Sequence, residues 1–414
     1  MKKNLLKITI LLFCINTFSQ NKFHEIKGVV LSKIDSTSLP YVNIYSDVNK
    51  IGTVTNELGE FLLSVPDTIT NKIITFSSLG YLTKKISIDN INDIIYLSPS
   101  TEILNEVFIS NNTPKFEKLV DSIYDRLKDN YSTKRHLLKA FYRQTTIKDS
   151  SYLRIIEADI DIQEYGINKQ LDRDRIKVNQ YRRSDDKMST RYKKNWELAS
   201  KLFGEKNELV WVKKEDFINN FAKTKEHTFY HKNILNSYNF TYEYTTAIDN
   251  NQVYVFSFYM KSLENIPLLD NQLSKIYINA KDFAVLKVEK VSGFKRGNTF
   301  HNFQKKIYHY TKVGKNYYLT SVFDYIIFEN KEIKIDKLHT YEIITDRDDY
   351  EKIKRKEVEK INKDFSTKDY KYDSIFWKNY KILPEVPLII KMQSLIEMEK
   401  KLNNQYLDNS NGKK

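Results

Sequence analysis

Between Glu25 and Ser98 the chain is a series of short runs in which apolar and polar residues alternate: IKGVVLS, LPYVNIYSD, IGTVT, GEFLLSVP, KIITFSSLGY, KKISI and DIIYLSP. Alternation at period two marks strands with one buried face, and turn residues interrupt it every ~8 to 12 residues, the spacing of an antiparallel sandwich. In YVNIYS, Val42 and Ile44 fall on one face while Tyr41, Asn43 and Tyr45 fall on the other. The stretch GTVTNELGEF reads as a hairpin: Asn56, Glu57, Leu58 and Gly59 make the turn, Gly59 supplies a positive φ, and Phe61 re-enters the core. Past Pro99 the residues Glu106 to Ser110 read as a last strand of the sandwich. The period then changes: Phe116, Val120, Ile123, Leu127 and Tyr131 recur at helical spacing. An amphipathic linker helix is expected there, with Thr113 as N-cap and Pro114 in its first position, packing on the next domain.

From Leu137 to Thr345 the pattern returns to long antiparallel strands. In RIIEADIDIQEYG, Ile156, Ala158, Ile160 and Ile162 alternate with Glu157, Asp159, Asp161 and Gln163. Such an acidic row can hold Ca²⁺, but the glycine-bearing turns of calcium loops are missing, and a solvated strand face is expected. VYVFSFYM is different, because both faces are apolar or aromatic: Val253, Val255 and Tyr259 against Tyr254, Phe256, Phe258 and Met260. A strand of that kind must be covered on both sides or border an enclosed cavity. SKIYINA and FAVLKVEKV, joined by Lys281 and Asp282, predict one hairpin, and KNYYLTSVFDYIIF with KEIKIDKLHTYEIIT predicts a second. The stretches at Trp196 and Lys214 read as short helices that place Trp196, Trp211, Phe217 and Phe221 as lids on the core. In the tail, EKIKRKEVEKINKDF reads as a solvated helix or loose arm, Phe376, Trp377 and Tyr380 as anchors on the sheet, and Leu388 to Tyr406 as an amphipathic helix.

Composition narrows the chemistry. Lys2, Lys3 and Lys7 precede and enter an apolar run from Ile8 to Ile15, as in a secretory signal peptide, and that run is far shorter than the ~20 residues that span a bilayer. Cleavage near Gln20 would remove the only cysteine, Cys14, and with it thiol catalysis. No transmembrane segment is expected in the mature chain. The net charge of +14 suits an anionic surface, but in an exported protein it does not point to nucleic acid. No phosphate-binding glycine loop, nucleophile elbow or paired-cysteine metal site appears. His227 and His231 have helical spacing but lack the glutamate that metalloproteases place after the first histidine. His339 and Glu342 lie in a strand-like run, where residues three apart face opposite sides.

Gly28-Val29, Leu39-Pro40-Tyr41-Val42, Gly52 to Thr55, Gly59 with Phe61, and Ser78-Leu79-Gly80-Tyr81 succeed one another as in the carboxypeptidase-regulatory-like domain of exported Bacteroidota proteins. The resemblance implies a transthyretin-like β-sandwich that accompanies enzymes and receptors and is not itself a peptidase. KAFYRQTTIKDSSYLRIIEADIDI and YDSIFWKNYKILPEVPLIIK resemble the soluble part of Bacteroidota outer-membrane proteins of unknown function. The strand pattern is also similar to the half-barrel of LolA-like lipoprotein carriers, whose concave face holds acyl chains.

A mainly β protein is expected: a signal peptide (1–20), the sandwich (25–110), the linker helix (113–135), a larger curved, half-barrel-like antiparallel domain with covering helices (136–345), and a charged segment with a helical tail (346–414). The reading is an exported, periplasmic or outer-membrane-associated binding protein without catalytic residues, metal or cofactor. It would hold a lipid-like or protein ligand in the concave face of the second domain, with Tyr254, Phe256, Phe258 and Met260 as lining candidates. A structural subunit of an outer-membrane complex and a hydrolase of envelope polymer are the alternatives.

Overall fold

The computed structural model describes residues 23–46, 51–56, 58–66, 72–100, 114–149, 151–167, 174–187, 209–210, 216–218, 238–248, 251–261, 273–296, 299–328, 333–360, 363, 370–380 and 400–410. The first domain is a sandwich of two sheets. One contains β1 (Phe23–Ser32) between β4 (Glu60–Pro66), antiparallel to it, and β7 (Ile94–Leu97), parallel to it. The other runs β3 (Ile51–Val54), β2 (Asn43–Ser46), β5 (Ile73–Ser77) and β6 (Lys84–Ser87). Between them lies a core of its own, with Val30, Val42, Ile44, Phe61, Ile74 and Phe76 almost fully buried. The alternation of YVNIYS is realised as expected: Val42 and Ile44 are at 0% exposure, while Tyr41, Asn43 and Tyr45 face away from this core.

GTVTNELGEF is not a hairpin. β3 and β4 belong to opposite sheets, so the turn between them crosses the sandwich. The Asn56 side chain builds that crossing by accepting from the amides of Leu58 and Glu60, each at 2.9 Å. Gly59 comes next with φ 75°, and a Cβ there would lie 2.5 Å from the Val30 carbonyl oxygen. A side chain is therefore excluded by sterics as well as by conformation.

The second domain is a large curved antiparallel sheet. Its order is β11 (Tyr238–Ile248), β12 (Asn251–Met260), β13 (Ser274–Asn279), β14 (Val285–Arg296), β15 (Thr299–Val313), β16 (Asn316–Ile327) and β17 (Ile333–Ile344). β8 (His136–Lys148), β9 (Ser151–Glu164) and β10 (Arg175–Arg183) continue it. Both expected hairpins form, with Ile276 opposite Val288 and Val322 opposite Leu338. The early meander joins the late strands through β8, where Tyr142 pairs with Leu338 and Leu138 with Ile343. Among the described residues β3 meets β17 through one pairing, Ile51 with Glu342, which makes the sandwich continuous with the larger sheet.

Helix α1 (Phe116–Asn130) lies across the sheet. It starts two residues later than expected, because Lys115 is still extended (φ −103°, ψ 127°) and serves as the N-cap without a side-chain bond. Tyr131 closes it: its amide donates to Leu127, and its hydroxyl both donates to the Val285 carbonyl and accepts from the Val285 amide, each at 2.8 Å.

The acidic row of β9 is not solvated. Ile156, Ala158, Ile160 and Ile162 enter the main core, as the alternation requires, but Glu157 and Asp159 are buried under the C-terminal tail. Glu157 accepts from Arg143 at 2.6 Å and Arg182 at 2.5 Å. Asp159 accepts from Tyr341 at 2.7 Å and from Tyr380 of the tail at 2.6 Å. The tail supplies α2 (Ser374–Asn379) and α3 (Leu402–Ser410). Trp377 and Tyr406 pack with Phe141, Tyr152 and Ile155, and the Arg182 guanidinium sits 4.3 Å above the Trp377 ring. Residues 351–360 are neither helix nor loose arm. They hold a 3-10 turn at Arg355–Glu357 flanked by the extended residues Lys354 and Val358, with Ile353 and Glu359 buried and the Glu359 amide donating to the Ile176 carbonyl of β10 at 2.8 Å.

Candidate functional site

The inner face of the large sheet carries α1. Phe116, Val120, Ile123, Tyr124 and Leu127 are all buried in one core with Phe256, Ile276, Val288, Tyr308 and Val322 from the strands. Phe116 stacks on Phe240 with centroids 3.7 Å apart and meets Phe256 edge-on at 5.5 Å. At the other end Asn130 donates to the Asp282 carbonyl at 2.7 Å, and Asn316 donates to the Asp129 carbonyl. The helix thus spans the face from β11 and β12 to the start of β16, and its apolar stripe covers the aromatic surface that the sequence leaves in need of a cover.

The lining candidates are divided by this arrangement. Phe256 and Phe258 are buried in the shared core, Tyr254 is half-buried against it, and Met260 is 43% exposed at the end of β12. On the opposite side of the same strand Val253 and Val255 are both at 0% exposure. β12 is therefore covered on both sides over most of its length.

Further along the inner face the core turns ionic. Lys306 meets Asp324 at 3.1 Å and Lys334 meets Asp336 at 3.0 Å, all four nearly or fully buried. Asp336 also accepts from the Tyr142 hydroxyl at 2.7 Å and the Gln144 amide at 2.9 Å, and Arg154 donates to Gln144. Sequence reading missed this network. Its signal is the shared period: Lys334 and Asp336 stand on the same face as the core residue Leu338, so that face cannot be the solvated one.

A second feature lies where the two domains meet. A cavity of about 280 Å³ opens between the outward face of the sandwich and the hairpin ends of the large sheet. Asn43, Tyr45 and Ser77 line it from β2 and β5, where Asn43 and Ser77 are cross-strand partners. Asn251, Asn279 and Asp282 line it from two hairpin tips, with Tyr317 at the start of β16. Asp282 accepts from Tyr317 at 3.0 Å and pairs with Lys312 at 3.3 Å. Asp282 is the one carboxylate among the lining residues, and none of Tyr254, Phe256, Phe258 and Met260 is among them.

Two buried histidines flank the same junction. His339 has the Gly52 and Thr320 backbone beside it, yet neither ring nitrogen makes a hydrogen bond of good geometry among the described residues. Burial pushes its pKa down to about 4. His309 bonds Ser321 through Nδ1 at 3.0 Å, and burial together with nearby Lys287 pushes it down to about 3. Glu342 pairs with Lys139 at 2.8 Å, so it does not share a site with His339. Among the described residues no three His, Cys, Asp or Glu side chains gather as a metal site would require. His227, His231, Trp196, Trp211 and Phe221 lie outside the described residues, while Phe217 packs against the main core.

Comparison with known proteins bears mainly on the first domain. Residues 26–109 match the CarboxypepD_reg-like domain family. No curated protein matches the chain. Among solved structures, an outer membrane lipoprotein-sorting protein domain from Vibrio parahaemolyticus is similar over 57% of this chain and 97% of its own, at 11% identity and a TM-score of 0.24. A LolA superfamily protein from Nitrosomonas europaea is similar over 58% and 97%, at 11% identity and a TM-score of 0.23. A DUF1329 family protein from Desulfovibrio piger is similar over 57% and 95%, at 8% identity and a TM-score of 0.25. Values of this size leave the site to be read from its own geometry. Among the described residues no helix is long and apolar enough to cross a membrane.

Proposed function

We propose that the chain is an exported, non-catalytic binding or interaction protein of the cell envelope, and that the inner face of its large sheet is a receptor for an amphipathic helix. One observation carries this reading: the apolar stripe of α1 already fills that face, with Phe116 stacked on Phe240 and edge-on to Phe256. Tyr254, Phe256 and Phe258 are the β12 part of the receptor surface, with Met260 at its rim. A lipid-like ligand would have to occupy the space that α1 takes, so a protein segment, held in cis, is favoured over an acyl chain. Export rests on the lysine-flanked apolar leader.

Native mass spectrometry of the protein isolated from the envelope fraction, combined with solvent extraction, tests this function. The expected result is the mass of the bare chain and no stoichiometric acyl lipid. One lipid per chain would overturn it, because α1 and the lipid cannot share the surface.

A further inference from the structure

We propose that the interdomain cavity is a carbohydrate site that takes one sugar ring. This inference is separate from the inner face and holds whichever occupant that face has. Three features of the cavity lead to it. The first is the donor set. Asn43 and Asn251 bring primary amides from the two domains and Tyr45 a hydroxyl, while Asn279 (accepting from the Lys281 amide and donating to Tyr317), Tyr317 (donating to Asp282) and Ser77 (accepting from Thr83) keep only their remaining capacity for a ligand. A primary amide offers a donor and an acceptor in one plane, and a hydroxyl offers both at one atom. That combination suits neighbouring hydroxyls, each of which also donates and accepts, better than it suits an anion, which only accepts.

The second feature is charge. The one carboxylate, Asp282, is paired with Lys312 and bonded to Tyr317. This leaves Lys281, an exposed side chain, as the remaining charged residue of the lining. Electrostatics therefore give no strong preference for a charged ligand. The third is size and surface. About 280 Å³ exceeds what a few ordered waters need and falls just below the ~300 to 1,000 Å³ usual for larger ligands. The rings of Tyr45 and Tyr317, with Ile248 and Leu286, supply apolar surface for the C–H face of a pyranose. Because the walls come from two domains, a bound sugar would also bridge them.

The experiment titrates the full chain with the methyl glycosides of glucose, galactose and N-acetylglucosamine, monitored by calorimetry and ligand-observed NMR. Saturable millimolar binding of at least one glycoside is expected. Asn43→Ala in the sandwich and Asn251→Ala in the large sheet should each weaken it about tenfold, as loss of a hydrogen-bonding group does. Circular dichroism and melting of both variants establish that they fold, and Tyr45→Phe, which keeps the ring and removes the hydroxyl, gives a milder probe. Absence of saturable binding by all three glycosides overturns the proposal. So does binding that both alanine variants leave unchanged, or equal competition by inorganic phosphate, which would make the cavity an anion site.

Discussion

At the scale of single residues the two junction histidines make a testable pair. Each has a folded pKa below the ordinary histidine value of 6.5, about 3 for His309 and about 4 for His339, because burial disfavours the charged ring. The unfolded chain therefore binds more protons than the folded one once the pH drops below 6.5. Stability from keeping these rings neutral is complete above 6.5 and is lost as pH falls toward 4 and then 3. Glu157 and Glu289 act lower. Burial pushes each up, but Arg182 and Arg143, or Lys287 and Lys305, outweigh it and hold each at about 2, so their loss begins only below 4.5. His136 has the opposite sign: Glu164 overcomes its burial and raises its pKa, so its contribution is complete below 6.5 and fades as pH rises. Urea midpoints measured between pH 6.5 and 4.5 should fall by an amount worth a few kcal/mol in total. His309→Gln should flatten that slope, and an unchanged slope would contradict the neutral buried ring.

Elements show what could and could not be read from the chain. The Ile156 to Ile162 alternation and the β13–β14 hairpin are local, so period and turn chemistry suffice to find them. The fate of Glu157 is not local. Its arginine Arg182 is 25 residues away, and the tail that covers it lies more than 200 residues on. A row of acids looks identical from sequence whether water or a distant tail faces it. The tail's aromatic anchors are legible, because an exposed strand face does not leave Phe376, Trp377 and Tyr380 so close together without a partner. Trp377→Ala should cost about 3 to 5 kcal/mol if the tail folds with the sheet. Hydrogen exchange would then rise in α2, α3 and β9 together. Exchange confined to α2 would mean that α3 docks independently.

Helix α1 is the element on which the functional reading turns. Its stripe is plain in the sequence, but nothing local says which surface receives it, and β12 is equally silent about its cover. The packing of Phe116 on Phe240 and Phe256, within the core that the rest of the stripe shares with β12, joins the two observations. Ile123→Ala removes buried side-chain volume and should destabilise by about 2 to 5 kcal/mol. Lys118→Ala, on the exposed side of the same helix, should change stability by less than about 0.5 kcal/mol. Chemical denaturation of the two variants separates a helix docked in the core from one that only links two domains, since the linker case predicts small effects for both.

For the whole molecule the question is whether sandwich and large sheet melt as one. The mainly β architecture is legible because most strands pair with sequence neighbours. The join between the domains is not, since Ile51 meets Glu342 almost 300 residues later. Among the described residues the join includes the Ile51–Glu342 pairing, the Gly80 amide donating to the Ala247 carbonyl at 2.9 Å, Leu79 packed against the main core, the Gly52 backbone beside His339, and the Tyr41 ring. Tyr41 sits at φ 60°, a left-handed conformation that disfavours a large side chain, and its ring reaches His309 at 6.0 Å and Phe323 at 5.7 Å. Two changes at this position separate the backbone from the contact. Tyr41→Ala keeps the conformational cost and loses the ring, whereas Tyr41→Gly loses the ring but removes about 1 kcal/mol of that cost. Calorimetry should therefore show the wild type melting in one transition. The alanine variant should show an earlier sandwich transition, displaced by several degrees for a loss of about 1 to 2 kcal/mol in a domain of this size. The glycine variant should fall between them. If both variants melt as the wild type does, the ring contributes nothing to the join, and the strand pairing, the Gly80 bond and the Leu79 and Gly52 contacts carry the coupling without it.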